Sequence, residues 1–153
     1  MKEIDEISGD VLDVAFRLHR DLGPGLLETV YETIMAAKLQ EMGYLVVRQE
    51  PIDICYDGLR FEAAFRIDVV VDRRLLVEIK SVERLHAAHA KQLLTYLRLT
   101  GQPVGLLINF GGATLKEGVK RIVNSYAPPS SSSSSASPRL RVNQTSSSSS
   151  SGA

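Results

Sequence analysis

The amino-acid sequence predicts an α/β (α+β) domain in which a mixed central sheet is flanked by helices, in the order ααβββαβα. Apolar residues recur at helical spacing up to residue 42 and again from residue 84, whereas residues 44–81 are rich in β-branched residues. Gly and Pro residues separate these segments. The chain has 153 residues, 44% of them hydrophobic, which is enough for one domain with a substantial core.

Two helices are predicted in the N-terminal part of the chain. The first covers residues 5–22 and ends at Gly23-Pro24-Gly25, and the second covers residues 26–42 and ends at Gly43. The apolar residues at helical spacing are Ile7, Val11, Val14, Leu18 and Leu22 in the first and Leu27, Val30 and Ile34 in the second. Each predicted helix therefore has an apolar side that can pack on a sheet.

The β-rich segment that follows predicts an antiparallel meander of about three strands. Residues 44–49 and 52–56 are two strand candidates, and Pro51 separates them. Asp57-Gly58 is typical of a two-residue hairpin turn, so the chain is expected to return through residues 59–65.

A polar break at Asp72-Arg73-Arg74 predicts a second hairpin. A three-residue loop places Val71 opposite Leu75 and Val69 opposite Val77. Because side chains alternate along a strand, one face of this hairpin is expected to be wholly apolar. Its residues are Phe65, Ile67, Val69, Val71, Leu75, Val77 and Ile79.

The other face of this hairpin carries charge, because Asp68 is expected opposite Glu78 with Lys80 beside them. Directly opposed Cβ atoms lie roughly 5 Å apart. Two carboxylates at such a distance repel by roughly 3 kcal/mol at an effective dielectric of about 20. Lys80 offsets part of this repulsion, and a divalent cation such as Mg²⁺ would offset all of it. The alternative is a surface salt-bridge cluster on a half-exposed sheet.

The remainder of the domain is predicted to be helix, strand and helix. A helix covers residues 84–100 and ends at the next Gly and Pro, and residues 104–110 form a short apolar run typical of a buried strand. Thr114-Leu115-Lys116-Glu117 matches a capping box, which predicts a last helix ending near residue 124.

Two of the predicted helices carry polar side chains on a shared side. Glu28 and Tyr31 stand at i and i+3 near the start of the second helix. Taken alone, Glu28 is most simply a solvated first-turn acid that interacts well with the helix dipole. His89, Gln92 and Tyr96 stand at i, i+3 and i+7, an unusually polar side for a helix that should pack on a sheet. We expect this side to face the Asp68–Glu78 pair.

Charge and cysteine content restrict the class of protein. The net charge is +0, which argues against a strongly non-specific nucleic-acid binder but is compatible with a local basic groove. Cys55 is the single cysteine, so no disulfide framework is expected and a reducing, cytoplasmic location is predicted. No apolar run reaches membrane-spanning length, and the first residues lack a signal-peptide pattern.

The C-terminal segment differs in composition from the rest of the chain. Residues 125–153 contain two runs of six Ser, several Pro and a short basic island. Such a composition cannot build a core. We therefore predict a domain over residues 1–124 and a disordered Ser-rich tail over residues 125–153.

Four stretches together resemble one family. They are Gly25-Leu26-Leu27-Glu28-Thr29-Val30-Tyr31, Phe65-Arg66-Ile67-Asp68, Val77-Glu78-Ile79-Lys80 and His89-Ala90-Lys91-Gln92-Leu93-Leu94-Thr95-Tyr96-Leu97. In this order they closely resemble the GxxExxY proteins of the PD-(D/E)xK nuclease superfamily, and the resemblance covers residues 5–124. It implies a restriction-endonuclease-like core. Ile67 stands where the superfamily name has Pro.

The resemblance also implies a role for each matching residue. Asp68 and Glu78 are similar to the pair that holds Mg²⁺ or Mn²⁺, and the Ile79 carbonyl is a further candidate ligand. Lys80 is similar to the lysine that orients or deprotonates the attacking water. Five further residues complete the implied site: Glu28 and Gln92 as catalytic residues, and Tyr96, His89 and Tyr31 as substrate-binding residues.

Two functions follow. The first is a metal-dependent nuclease that hydrolyses phosphodiester bonds in nucleic acid, with DNA favoured over RNA. The second is a non-catalytic nucleic-acid- or protein-binding module on a nuclease-like fold. Because the chain is small and has no net charge, we also expect that a homodimer or a partner protein helps it to bind its substrate.

Overall fold

Three helices and five strands follow one another in residues 1–125, the part of the chain that the computed structural model describes. The elements are α1 (Ile4–Leu22), α2 (Glu28–Glu41), β1 (Val46–Tyr56), β2 (Leu59–Val71), β3 (Leu75–Lys80), α3 (Ala87–Thr100), β4 (Val104–Asn109), a 3₁₀ turn (Lys116–Gly118) and β5 (Val119–Val123). The predicted disordered tail lies outside the described residues from residue 126 onward.

The strands form one mixed sheet in the order β1-β2-β3-β4-β5. Neighbouring strands are antiparallel except β3 and β4, which are parallel. A parallel pair needs a crossover connection, and α3 supplies it between these two strands. The predicted mixed sheet flanked by helices is therefore confirmed.

The sheet separates two apolar clusters. On one side α1 and α2 pack on the sheet, and the buried residues there include Ile7, Val11, Met35, Leu39, Val69, Val77, Ile79 and Ile108. On the other side α3 packs with Leu93 and Leu97 against residues that include Ile52, Ile67, Leu76 and Leu107. At Gly105 a Cβ atom would lie 3.1 Å from Leu93, so α3 sits close to β4 there.

The hairpin that joins β2 to β3 has the predicted register, with Val71 paired to Leu75 and Val69 paired to Val77. The prediction of one wholly apolar face was wrong at its start, because Phe65 and Ile67 pack in the α3-side cluster while Val69 faces α1 and α2. The change of side occurs where pairing with β3 stops, since Val69–Val77 is the last pair of that ladder.

The predicted break in the first part of the β-rich segment was wrong. Pro51 does not separate two strands, because β1 runs unbroken from Val46 to Tyr56. A proline is tolerated within this strand because β1 lies at the edge of the sheet. Nearby, Gln49 has φ 51°, so the backbone bends just before the proline.

The predicted last helix is absent from residues 114–124. A single 3₁₀ turn stands there and β5 follows it, so the observed order is ααβββαββ. The long-range partner outweighs the local capping pattern, because β5 pairs antiparallel with β4 from Val104–Val123 to Ile108–Val119. Without β5, the backbone groups along that side of β4 would have no partner.

Gly118 and Gly9 form a matched pair for a stability measurement. A Cβ at Gly118 would lie 2.5 Å from the backbone oxygen of Asn109, whereas a Cβ at Gly9 in α1 would meet no atom of the described residues within 4 Å. We expect Gly118→Ala to destabilise the fold by about 1–3 kcal/mol. Gly9→Ala should stabilise it by about 0.5–1 kcal/mol, because alanine is the better helix former. Urea unfolding of both variants checks this, and equal effects would contradict the tight contact at Gly118.

Candidate active site

Asp68 and Glu78 come together where β2 and β3 part. Beyond the last ladder pair, side chains take over the hydrogen bonding: the Ile79 amide donates to Asp68 Oδ2 at 2.8 Å, and the Asp68 amide donates to Glu78 Oε1 at 3.3 Å. Each carboxylate thus binds a backbone N–H on the opposite strand. The structure therefore brings this predicted pair together at the end of the ladder.

Burial and mutual repulsion govern the chemistry of Glu78. Its side chain is buried, with 6% relative exposure. Burial first, and then the neighbouring Asp68 charge, raise the pKa of Glu78 from its ordinary 4.5 to about 8. The Asp68 amide and the Lys80 ammonium act in the opposite direction. Burial and the Asp68 charge thus favour the protonated form of Glu78 at neutral pH in the absence of a cation.

Lys80 ends β3 next to this pair. Its backbone carbonyl accepts the Phe110 amide at 2.8 Å, which fixes the end of β3 to the end of β4. Its side chain is half-buried. The Lys80 charge opposes the rise in the pKa of Glu78 and helps to lower the pKa of His89. Lys80 therefore acts electrostatically on both β3 and α3.

Glu28 reaches the same region from the start of α2. Its Oε1 atom accepts the Ser81 amide at 3.3 Å, one residue after Lys80. Ser81 in turn donates its hydroxyl to the Leu26 carbonyl at 2.6 Å. These two bonds tie the loop before α2 to the end of β3. Glu28 is exposed, as predicted for a solvated acid in the first turn of a helix, but it stands beside the site.

Tyr31 lies in the core, which corrects its predicted role in substrate binding. It has 0% relative exposure, and its ring stacks on Phe110 with centroids 4.2 Å apart. Its hydroxyl donates to the Gly23 carbonyl at 2.5 Å and accepts the Leu26 amide at 3.3 Å. Tyr31 therefore anchors the loop that precedes Glu28. Gly25 in that loop has φ 98°, a conformation that favours glycine.

Of the three polar residues predicted on α3, Tyr96 and His89 interact electrostatically with charged groups of the site. Burial raises the pKa of Tyr96, and the charges of Glu78 and Asp68 add to this rise. The Tyr96 ring stacks on Phe65 with centroids 4.0 Å apart. Within residues 1–125, Gln92 is exposed and no hydrogen bond of its side chain is seen.

His89 has a defined tautomer and a lowered pKa. Its Nδ1 atom accepts the His86 amide at 3.2 Å, so the neutral ring carries its proton on Nε2. Burial first, then the charges of Lys80 and His86, lower the pKa of His89, and Glu28 opposes them. His89 is therefore a neutral N–H donor at pH 7.

Sequence reasoning missed a network behind Asp68. Gln49 donates to Asp68 Oδ1 at 3.3 Å and to Glu32 Oε2 at 2.9 Å. Glu32 is buried with 3% relative exposure and also accepts Arg48 Nε at 3.1 Å. One signal was available, because Glu32 stands one helical turn after Glu28 on the same side of α2. Nothing in the sequence singled out Gln49.

The donor atoms suit a hard divalent cation. Within residues 1–125, no group of three or more His, Cys, Asp and Glu residues is arranged to hold a metal ion. Mg²⁺, however, is commonly bound by one or two carboxylates, with water and substrate phosphate completing its shell. Burial and the Asp68 charge raise the pKa of Glu78, and a cation between the two carboxyl groups would favour the ionised form of Glu78. Asp68 and Glu78 would hold it.

The family model of the PD-(D/E)XK nuclease superfamily matches residues 5–122. The chain therefore belongs to this superfamily, and its five-stranded mixed sheet flanked by helices is the restriction-endonuclease-like fold predicted for it. No curated protein and no solved structure gave a significant match. Assignment to the GxxExxY group within the superfamily stays a prediction. No helix among residues 1–125 is long and apolar enough to cross a membrane.

Glu78 should make stability depend on pH in an unusual direction. Because its pKa is about 8 in the folded protein and 4.5 ordinarily, the folded state holds this proton more tightly than the unfolded chain. Without metal, the free energy of unfolding should therefore fall as pH rises from about 5 to about 8, by roughly 2–4 kcal/mol. Glu78→Gln should remove most of this fall. The exposed Glu62→Gln is the control, and urea unfolding from pH 5 to pH 9 is the measurement.

Proposed function

We propose that the protein is a metal-dependent nuclease of the GxxExxY group, which hydrolyses phosphodiester bonds in DNA. The observation that carries the proposal is the contact of the buried Glu78 with the half-buried Asp68, with Lys80 two residues after Glu78 on the same strand. A buried carboxyl group beside a second carboxylate costs stability. A fold that keeps this pair beside a lysine is best explained by chemistry that needs it.

The carboxylates supply the cation site and Lys80 supplies positive charge. A bound Mg²⁺ or Mn²⁺ would polarise the scissile phosphate. The Lys80 ammonium would orient the attacking water and stabilise the negative charge that develops on the phosphate oxygens. Its half-buried position beside Glu78 supports this, because electrostatic stabilisation is stronger where water is partly excluded.

The helices would position the substrate around this centre. Tyr96, whose pKa is raised, stays protonated and can donate its O–H to a phosphate oxygen. His89 can donate from Nε2. Gln92 is exposed on the same helix and is free to meet the nucleic-acid backbone. Glu28, held by the Ser81 amide, would accept a hydrogen bond from the attacking water.

A non-catalytic binding module is the second candidate. Two observations favour it: the net charge is +0, and within residues 1–125 no third acidic or His ligand joins Asp68 and Glu78. Such a module, or an enzyme that binds its substrate weakly, would depend on homodimer formation or on a partner protein. Turnover in the presence of divalent metal separates the two functions.

Lys80→Ala tests catalysis directly. We expect Mg²⁺- or Mn²⁺-dependent cleavage of labelled DNA by the wild type, and a loss on the order of 100-fold or more in Lys80→Ala, since a positioned proton-transfer or charge-stabilising group contributes about that much. Lys91→Ala, which removes an exposed lysine from α3, is the matched control and should keep full activity. Single- and double-stranded DNA and RNA should be compared. Equal activity of both variants would remove Lys80 from the mechanism.

Metal binding can be measured without turnover. Mn²⁺ at about one hundred times its dissociation constant should stabilise the wild type by about 2.7 kcal/mol, because it binds only the folded site. Glu78→Gln should lose this stabilisation, since a ligand is lost. Lys80→Ala should keep it. Thermal melts with and without Mn²⁺ give the result, and an equal shift in all three proteins, or none in any, would favour the binding module.

A further inference from the structure

A cavity of about 650 Å³ opens beside Glu28. Ser81, the residue that follows Lys80 in the sequence, is also part of its lining. It lies between the loop that begins α2 and the loop that follows β3. The lining residues that matter are Leu26, Leu27, Glu28, Ser81, Glu83 and Gly111. Its volume falls within the range of roughly 300–1,000 Å³ that is typical of small-molecule sites.

The walls of this cavity are fixed by hydrogen bonds. Asn109 is buried with 3% relative exposure, and its Oδ1 atom accepts the amides of Val82 and Gly111, both at 3.0 Å. Its Nδ2 atom donates to the Val82 carbonyl at 2.9 Å. On the other wall, the Ser81 hydroxyl donates to the Leu26 carbonyl. The cavity is therefore formed before any ligand binds.

The lining chemistry selects a particular class of ligand. Two carboxylates, Glu28 and Glu83, line the cavity, and none of the described residues around it is Lys, Arg or His. Leu26 and Leu27 add apolar surface, with 39% and 74% relative exposure. A phosphate group would be repelled here. A flat apolar group that carries N–H donors on its edge is the complementary ligand.

We propose that this cavity binds an unpaired nucleobase, guanine above all, of the strand whose phosphate lies at Lys80. The inference rests on the proposed nuclease function. Guanine presents two parallel N–H donors on its Watson–Crick edge, which match the two oxygens of one carboxylate in the way that a guanidinium does. Thymine and uracil present one N–H between two carbonyl oxygens, which a carboxylate repels.

The position of the cavity defines which nucleotide is bound. Ser81 follows Lys80 directly, and its amide is held by Glu28, so the cavity adjoins the proposed phosphate site. The bound base therefore belongs to a nucleotide beside the cleaved bond. A base can enter only after it leaves the stack, which favours single-stranded or frayed substrates over an intact duplex.

The test maps cleavage sites in a random-sequence single-stranded DNA with Mn²⁺, by sequencing the product ends. Wild type should show guanine enriched about tenfold over thymine at one fixed position from the cut, as expected when a carboxylate distinguishes bases. Leu27→Ala and Glu83→Gln should each lower this enrichment several-fold while total cleavage continues. Leu45→Ala and Glu62→Gln, with 51% and 78% exposure outside the cavity, are the matched controls.

The outcomes separate this inference from the proposed function. Cleavage without a guanine preference, or with a preference that both cavity variants retain, overturns the cavity inference and leaves the nuclease intact. If no substrate is cleaved, binding of guanine-containing and all-thymine oligonucleotides is measured by fluorescence anisotropy in EDTA. A guanine preference that Leu27→Ala and Glu83→Gln abolish then supports the cavity in a binding module. Absence of any binding overturns both proposals.

Discussion

The reciprocal bonding between Asp68 and the end of β3 is the constraint on which the site depends. A carboxylate of one strand takes the amide of the other, so the sheet keeps its hydrogen bonds at the point where the two strands separate. The same bonds hold the buried Glu78 carboxyl group close to the half-buried Asp68 carboxylate. The bonds that stabilise the strand ends thus also bring the Asp68 and Glu78 carboxyl groups together. Lys80 opposes the resulting rise in the pKa of Glu78, and Gln49 donates a hydrogen bond to Asp68.

Much of this arrangement could be predicted because it follows from local rules. The three-residue loop gave the register up to Val69–Val77, and this register was sufficient to predict that Asp68 lies near Glu78, although alternation breaks between Ile67 and Val69. Local rules failed where a distant partner decided the structure. Residues 114–117 do match a capping box, but pairing with β4 determined that a strand follows.

The parts of the site that sequence could not supply are the ones that depend on burial or on long-range contact. Helical spacing showed that Tyr31 and Glu28 share a side of α2, but it could not show that Tyr31 is covered by Phe110 while Glu28 stays exposed. The Gln49–Glu32 bond joins residues 17 positions apart, and Gln49 has a left-handed backbone conformation. No periodic pattern records such a contact.

The bend and the proline in β1 have a consequence for how the protein behaves at high concentration. An edge strand presents a row of unpaired backbone groups that another chain can use as a template for aggregation. Pro51 removes one N–H from this strand, and the left-handed φ of 51° at Gln49 interrupts its straight course. A foreign strand therefore finds no long, regular edge beside the carboxylates. The segment that supports Asp68 through Gln49 thus also discourages edge-to-edge aggregation of strands.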